Sequence, residues 1–248
     1  MCRNRTDGVL RVPLQLPIGE TIKKILPKNL IVPMLLGKLK GKKWILGSSH
    51  IECAIGYFEY EKRLLIEKIV TSESTFYDIG AHVGFYTLLA SELVGENGNV
   101  ISFEPVPRNV KYLRELMKLN KCNNVIIYEV AVKNKSGVSK FDEGISSSTG
   151  HLSDDGHLRV KTVSIDDLVG NDKVPKPDYI KIDVEGAELL VLNGAEYTLN
   201  RFEPKIFLAT HSKNLHKDCI KFLRSIGYQI KPITGRDLYS TNEIFAYK

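Results

Sequence analysis

Cysteine is scarce: the four in 248 residues (Cys2, Cys53, Cys122, Cys219) lie far apart, with no CxxC pair and no histidine at ligand spacing. That argues against a structural zinc site or a disulfide framework and suits a reducing, cytoplasmic setting. Long apolar runs are missing too. The longest near the start, Leu30 to Leu36, contains Pro33 and is about a third of the roughly 20 residues a spanning helix needs. It begins at residue 30 and is followed by more lysines, unlike a signal peptide. Repeats and low-complexity tracts are absent. At 43% hydrophobic and 26% charged residues, the chain is balanced for a globular body rather than a disordered one.

Acidic charge is in short supply only locally. The net charge of +6 suggests an anionic partner. Yet residues 1–43 hold ten of the 35 cations and only two acids, Asp7 and Glu20, whereas residues 44–248 carry 25 cations against 27 acids. The bulk of the protein is therefore no basic nucleic-acid-binding surface. Two readings of the basic segment stay open: an amphipathic stretch packed on the rest with its lysines in water, or a peripheral membrane contact. The organisation expected is a basic, partly apolar segment over 1–54 and a catalytic domain over 55–248.

From residue 75 short apolar runs alternate with helical patterns, the signature of a parallel sheet wrapped by helices in a doubly wound α/β fold. Strands are expected at 74–77, 99–103, 125–128, 179–182 and 205–208, with a closing hairpin of 228–230 and 244–247. Helices are expected at 59–70, after Gly84, from Pro107, over 187–193 with Gly194 as a left-handed stop, and from about Ile220 to Gly227. Residues 133–160, rich in Ser, Gly, Asp and Lys, read as a hairpin or surface excursion.

Ligands of open α/β sheets sit beyond the carboxyl ends of the strands, where this sequence places Asp78, Glu104, Asp183 and His211. The first loop, Gly80-Ala81-His82-Val83-Gly84, lacks the second and third glycines of a dinucleotide loop. A carboxylate at Asp78 would also repel a pyrophosphate. S-adenosylmethionine carries an ammonium, a sulfonium and two ribose hydroxyls, and acids at Asp78 and Glu104 suit it. Gly80 lets the backbone approach the methionine end, and Glu104 can accept from the ribose.

The segments Asp78-Ile79-Gly80-Ala81-His82-Val83-Gly84-Phe85-Tyr86-Thr87, Phe103-Glu104-Pro105 and Lys181-Ile182-Asp183-Val184-Glu185-Gly186-Ala187-Glu188 together resemble the FkbM-type class I methyltransferases. The resemblance covers about residues 55–230. It implies a Rossmann-like, seven-stranded, mostly parallel sheet in the order 3-2-1-4-5-7-6, and S-adenosylmethionine as donor. It also implies as acceptor a hydroxyl on a sugar, glycan or secondary metabolite. Carried across, Asp78, Gly80, Ala81 and Gly84 match the donor loop, Tyr86 and Thr87 the methionine end, Glu104 and Pro105 the ribose site, and Val130 and Ala131 the adenine side. His82 departs from the asparagine common at its position. Ser164-Ile165-Asp166-Asp167-Leu168 resembles the family's T-L-D-D-L, with its acid as a helix cap.

For the acceptor, Asp183, Glu185 and His211 project near one edge, and His211, with an ordinary pKa of about 6.5, is the expected general base. Other readings of these three are a helix-capping Glu185, a hydrogen-bonded loop histidine, or a divalent-metal site. Alternatives for the whole protein are an RNA methyltransferase using the basic segment on phosphate and a non-catalytic donor-binding scaffold. The absence of N/D-P-P-Y/F after the fourth strand argues against amine methylation.

Overall fold

Strands covered on both faces need apolar side chains pointing both ways, and Thr75–Ile79 is buried at every position. The structure, a computed structural model, describes residues 27, 29–144, 150–153 and 155–248. Strands β1 (Ile31–Pro33) and β2 (Lys43–Ile45) pair antiparallel, and helices α1 (Ile51–Ile55) and α2 (Tyr60–Ile69) lead into β3 (Thr75–Ile79). Helix α3 (Phe85–Val94), β4 (Asn99–Phe103), α4 (Pro107–Leu119) and β5 (Val125–Tyr128) follow. Next come β6 (Ala131–Val132), β7 (Gly137–Asp142), β8 (His151–Leu152) and β9 (Leu158–Val163). Helix α5 (Ile165–Gly170), β10 (Tyr179–Ile182), α6 (Glu188–Asn193), α7 (Glu196–Phe202) and β11 (Lys205–Ala209) resume the alternation. Helix α8 (Lys213–Ser225), β12 (Gln229–Pro232) and β13 (Glu243–Tyr247) close the chain.

The main sheet runs β12-β13-β11-β10-β3-β4-β5. Strand β13 is antiparallel to both neighbours, and the pairs from β11 across to β5 are parallel. With its strands numbered in chain order this is 3-2-1-4-5-7-6, the order that the resemblance implies. Side-chain alternation divides the core. Phe76, Val100, Tyr179 and Phe207 pack with Leu88, Leu89 and Leu113 of α3 and α4. Tyr77, Ile101, Ile180 and Ile206 pack with residues of α5 to α8 such as Ile165, Val191, Leu199 and Ile220.

The stretch 133–160 is more ordered than a surface excursion. Strands β7 and β9 pair antiparallel, β8 adds to β7, and β9 runs parallel to β6, giving a second sheet ordered β6-β9-β7-β8. Its pattern is period two: Val160 and Thr162 are buried while Arg159 and Lys161 are exposed. The density of charged and small residues hides that alternation in the sequence. Phe141 and Val160 form a small core with Val106 and Ala131; Ser146, Ser147 and Ser148 lie outside the described residues. Gly194 does follow α6, but at φ −83° rather than left-handed. The Ser164 hydroxyl caps α5 by accepting from the Asp167 N–H at 3.1 Å. Asp166 instead caps the next helix, α7, accepting from the N–H groups of Tyr197 and Thr198 at 3.0 and 2.8 Å.

The described part of the segment 1–54 packs on the rest and shares its core. Trp44 is fully buried and meets Phe85 of α3 edge-on, with ring centroids 6.1 Å apart. Asn120, just past α4, accepts from the Lys43 N–H at 2.7 Å and donates to its carbonyl at 2.9 Å, and Lys42 pairs with Glu92. Trp44→Ala should therefore cost about 3–5 kcal/mol of stability, read as a lower urea midpoint at unchanged slope. An unchanged midpoint would show that this segment is not part of the cooperative unit.

Candidate active site

At the carboxyl ends of β3, β4, β10 and β11 the chain encloses a cavity of about 320 Å³, within the range of small-molecule sites. Its first wall is the loop after β3. The N–H groups of Gly80 and Ala81 both donate to the Phe103 carbonyl at 3.0 Å, holding this loop against the end of β4. Gly80 has φ +79°, and a Cβ there would lie 1.8 Å from the Asp183 carbonyl oxygen, so only glycine fits between β3 and β10. His82, also at positive φ, donates its N–H to Glu104 Oε2 at 2.8 Å. Glu104 Oε1 accepts from the Val106 N–H and from Asn109 Nδ2, each at 3.1 Å. Three donors thus fix this carboxylate at the cavity wall and leave Oε2 its less engaged oxygen. Burial raises the pKa of Glu104 against those bonds.

Below the loop lies a network of buried charge. Lys181 donates to the Gly80 carbonyl at 2.7 Å and pairs with Asp78 at 3.2 Å and Asp183 at 4.0 Å. Lys62 of α2, 1% exposed, meets Glu59 at 2.5 Å, Glu243 at 2.7 Å and Asp183 at 3.5 Å. Burial opposes the charge on Lys62, but Asp183, Glu59 and Glu243 outweigh it and hold the pKa above its ordinary value. Burial likewise opposes the charge on Asp183, yet Lys62 and Lys181 hold its carboxyl below the usual range. Tyr86 donates to Glu59 Oε2 at 2.7 Å, with the ammonium of Lys62 5.3 Å from its ring centroid.

Among the residues expected to hold the donor, Gly80, Ala81, His82, Tyr86, Glu104, Pro105, Val130, Ala131 and Asp183 line this cavity. Asp78, Gly84 and Thr87 do not. Asp78 is fully buried, accepting from the Thr87 hydroxyl at 2.7 Å, and a Cβ on Gly84 would meet Leu113 at 2.5 Å. These three support the loop from beneath. The cavity suits the cofactor in a second respect: His82 Nε2 is buried without a hydrogen-bond partner on the wall. Burial lowers the His82 pKa to about 4, so its imidazole is neutral at physiological pH.

The structure brings Asp183, Glu185 and His211 together. His211 Nε2 lies 3.5 Å from Asp183 Oδ1 and 3.3 Å from Glu185 Oε1, and the three offer ligand atoms within 4.8 Å of one another. Nδ1 meets Glu188 Oε1 at 2.8 Å. Glu188, fully buried, accepts with the same oxygen from the N–H groups of Val184 and Gly186 at 3.3 and 3.0 Å, so one carboxylate orients both the turn and the imidazole. Burial works to lower the His211 pKa, but hydrogen bonds to Glu185 and Glu188 and the charge of Asp183 carry it up to about 10. At neutral pH the imidazole is therefore protonated. That runs against the resting-base role that the sequence suggests.

Sequence reasoning named Lys181 and Glu188 only as members of the matched segment, with no role, and passed over Lys62, Glu59 and Glu243. A signal existed for two: Lys181 interrupts the apolar strand Tyr-Ile-Lys-Ile, and Lys62 stands four residues before buried Ile66 on the inner stripe of α2.

The model of the FkbM methyltransferase domain matches residues 78–230. This chain belongs to that family. The cofactor of the FkbM methyltransferases is S-adenosylmethionine, as the acids at the strand ends suggest. A curated relative, the hexuronic acid methyltransferase AglP of Haloferax volcanii, is 31% identical over 163 residues, which make up 65% of either chain. The chain thus spans just under two thirds of that relative. A solved FkbM methyltransferase of Methylobacillus flagellatus superposes with a TM-score of 0.54 at 18% identity, over 71% of this chain and 44% of that one. That likeness establishes the class I methyltransferase fold. Lys62, Glu59 and Glu243 lie outside the segment matched by the FkbM domain, so this chain completes its site with residues from both flanks.

Glu188→Gln keeps the shape beneath His211 but removes the charge, and should lower the proton affinity of His211 about tenfold or more. The imidazole carbon–proton NMR titration reads this directly, and an unmoved midpoint would dissociate Glu188 from His211. The raised pKa also ties stability to pH: this contribution is complete below about 6.5 and is lost as pH rises toward about 10. Lys62→Met leaves three carboxylates without their common cation, at a cost of roughly 3–5 kcal/mol. Protonation relieves that repulsion, so the deficit should shrink as pH falls from neutral toward 4. A deficit independent of pH would show that Lys62 acts by packing alone.

Proposed function

We propose that this protein transfers the methyl group of S-adenosylmethionine to a hydroxyl oxygen of a sugar or glycan. The observation that carries the reading is the division of one cavity into two chemically different ends. At one end the Gly80–His82 loop and Glu104 form a donor cradle; at the other, Asp183, Glu185 and His211 converge on open space. When bound, the cofactor supplies a methyl group activated by a positively charged sulfur. Glu104 takes the ribose side, and the glycine backbone with the neutral His82 imidazole takes the methionine end. Val130 and Ala131 form the apolar wall for the adenine.

Positioning provides most of the rate in such an in-line displacement. The acceptor hydroxyl becomes strongly acidic as its oxygen bonds to carbon, so a carboxylate suffices to take the proton. Asp183 is kept ionised for that task by Lys62 and Lys181, with Glu185 as its companion. The imidazolium of His211, oriented by Glu188, lies between the two and is ion-paired with both through Nε2.

Glu59, Asp183, Glu185 and Glu243 face the cavity, and Lys62, Lys181 and His211 are paired among them. The name of the Haloferax relative supports a sugar acceptor.

Incubation with methyl-labelled donor and a cell-extract glycan fraction should give a label that survives mild alkali, as an ether does. Alkali-labile label would mark a methyl ester on a carboxylate and overturn the hydroxyl reading. Donor binding is separable from the acceptor: Glu104→Ala should weaken S-adenosylhomocysteine binding by at least about tenfold, the loss of one or two charge-assisted hydrogen bonds. Unchanged calorimetric affinity would remove Glu104 from the donor site.

A further inference from the structure

The apolar side chains that the described residues leave in water are unevenly spread. Leu35 is 55% exposed, Leu36 51%, Tyr57 42%, Leu64 40% and Tyr60 37%. Backbone approaches and one ring stack bring these five near one another. The Leu35 N–H donates to the Ala54 carbonyl at 3.1 Å, and the Leu36 backbone abuts Gly56, where a Cβ would lie 2.6 Å from the Leu36 carbonyl oxygen. Tyr57, next in sequence, stacks on Tyr60 with ring centroids 4.9 Å apart. Leu64 follows one helical turn after Tyr60 on α2, on the same face. Contiguous apolar surface of this kind marks an interaction site.

Its rim is basic. Lys38 and Lys40, between β1 and β2, and Lys43, the first residue of β2, are all exposed, with one exposed acid, Glu61, beside Tyr60; the buried Arg63 side chain is paired with Glu67 beside Gly37. In the sequence, residues 1–26 add Arg3, Arg5, Arg11, Lys23 and Lys24. Exposed leucines and tyrosines rimmed by lysines are the composition of a surface that lies in a membrane interface, with apolar groups at the acyl boundary and cations on anionic headgroups. The same segment reaches the catalytic cavity, since Phe58 and Glu59, between Tyr57 and Tyr60, line its wall.

We propose that Leu35, Leu36, Tyr57, Tyr60 and Leu64, rimmed by Lys38, Lys40 and Lys43, dock the protein on an anionic lipid bilayer. Docked there, the cavity sits beside the membrane surface, and its acceptor is presented from that surface. The docking does not depend on the methyl-transfer reading and is tested without an acceptor.

The full chain is sedimented with vesicles of phosphatidylcholine alone and with vesicles of two parts phosphatidylcholine to one part phosphatidylglycerol. Binding should favour the anionic vesicles by at least about tenfold, since each engaged cation contributes about fivefold, and should weaken as salt rises. The double variant Leu35→Ser/Leu36→Ser should lose at least about tenfold in vesicle binding. Its thermal midpoint and S-adenosylhomocysteine affinity should stay unchanged, since neither side chain is buried or lines the cavity. Three results would overturn the proposal. They are no binding to anionic vesicles, equal binding by the double variant, and a dimer in sedimentation velocity that the double variant dissolves, which would assign the face to a second copy. Retention on single-stranded RNA that competes with vesicles and persists in the double variant would assign the cations to nucleic acid and overturn it as well.

Discussion

Two buried ammonium groups hold this active site together. Lys181 lies under the loop after β3, and Lys62 reaches in from α2; between them they contact Asp78, Asp183, Glu59 and Glu243. Carboxylates in a cavity of low polarity would otherwise take up protons, and a neutral Asp183 could not accept one from a substrate. The lysines are equally dependent on the acids, because an uncompensated buried ammonium is strongly unfavourable. The network is therefore a single unit, and it explains why the chain places lysines at positions that the fold otherwise fills with apolar side chains. It also joins separate parts of the sequence: α2, the end of β10 and the start of β13 meet at Lys62.

A division of labour follows within the cavity. On the donor side the groups are fixed by backbone N–H donors, as Glu104 is by His82 and Val106, so the cradle is set before any ligand arrives and little ordering is left for binding. The acceptor side is fixed by side chains instead. Glu188, wholly buried, holds the turn at Val184–Gly186 and the imidazole of His211 through one oxygen. Geometry thus passes from the core through Glu188 to His211, and from His211 to Asp183 and Glu185. A histidine so surrounded by carboxylates is favoured as a cation, and in the proposed reaction the proton-accepting role falls to the acids around it.

The period of the apolar runs made the main sheet legible from sequence: strands such as Asn99–Phe103 and Tyr179–Ile182 are short, uninterrupted and flanked by clear helix starts. The second sheet was not legible, because β7 and β9 carry lysine and arginine on their outward faces and small residues around their turns, a composition shared with ordinary loops. Most of the cavity wall expected to face the donor could be read, since its residues follow strand ends in fixed order. Asp78 and Thr87 could be placed near it but not in it: sequence position cannot tell a group that touches a ligand from one that supports the loop from beneath. The His211 pKa was beyond reach for a related reason. An imidazole is set by its neighbours in space, and Glu188 lies 23 residues away, on a helix whose orientation only the fold determines. Lys62 and Glu243 escaped because each sits on an element whose pattern reads simply as amphipathic helix or terminal strand.

The net charge of the chain hides two opposite surfaces. The cavity is lined mostly by acids, which suits a cationic cofactor, and residues 44–248 carry more acids than cations. Lys38, Lys40, Lys42 and Lys43 lie instead on the segment around β1 and β2, which packs on α3 and carries exposed leucines. Trp44 anchors that segment in the core, which fixes the basic and apolar face relative to the cavity rather than leaving it on a tether. A rigidly mounted surface does more than raise local concentration, because it sets the angle at which the cavity meets whatever it docks upon. Phe58 and Glu59 stand at the junction, with one side toward the tyrosines and the other toward the acceptor end. A substrate carried on the surface proposed for docking would reach Asp183 along that wall, so under that proposal the position of the docking face would bear on which group of the acceptor is methylated.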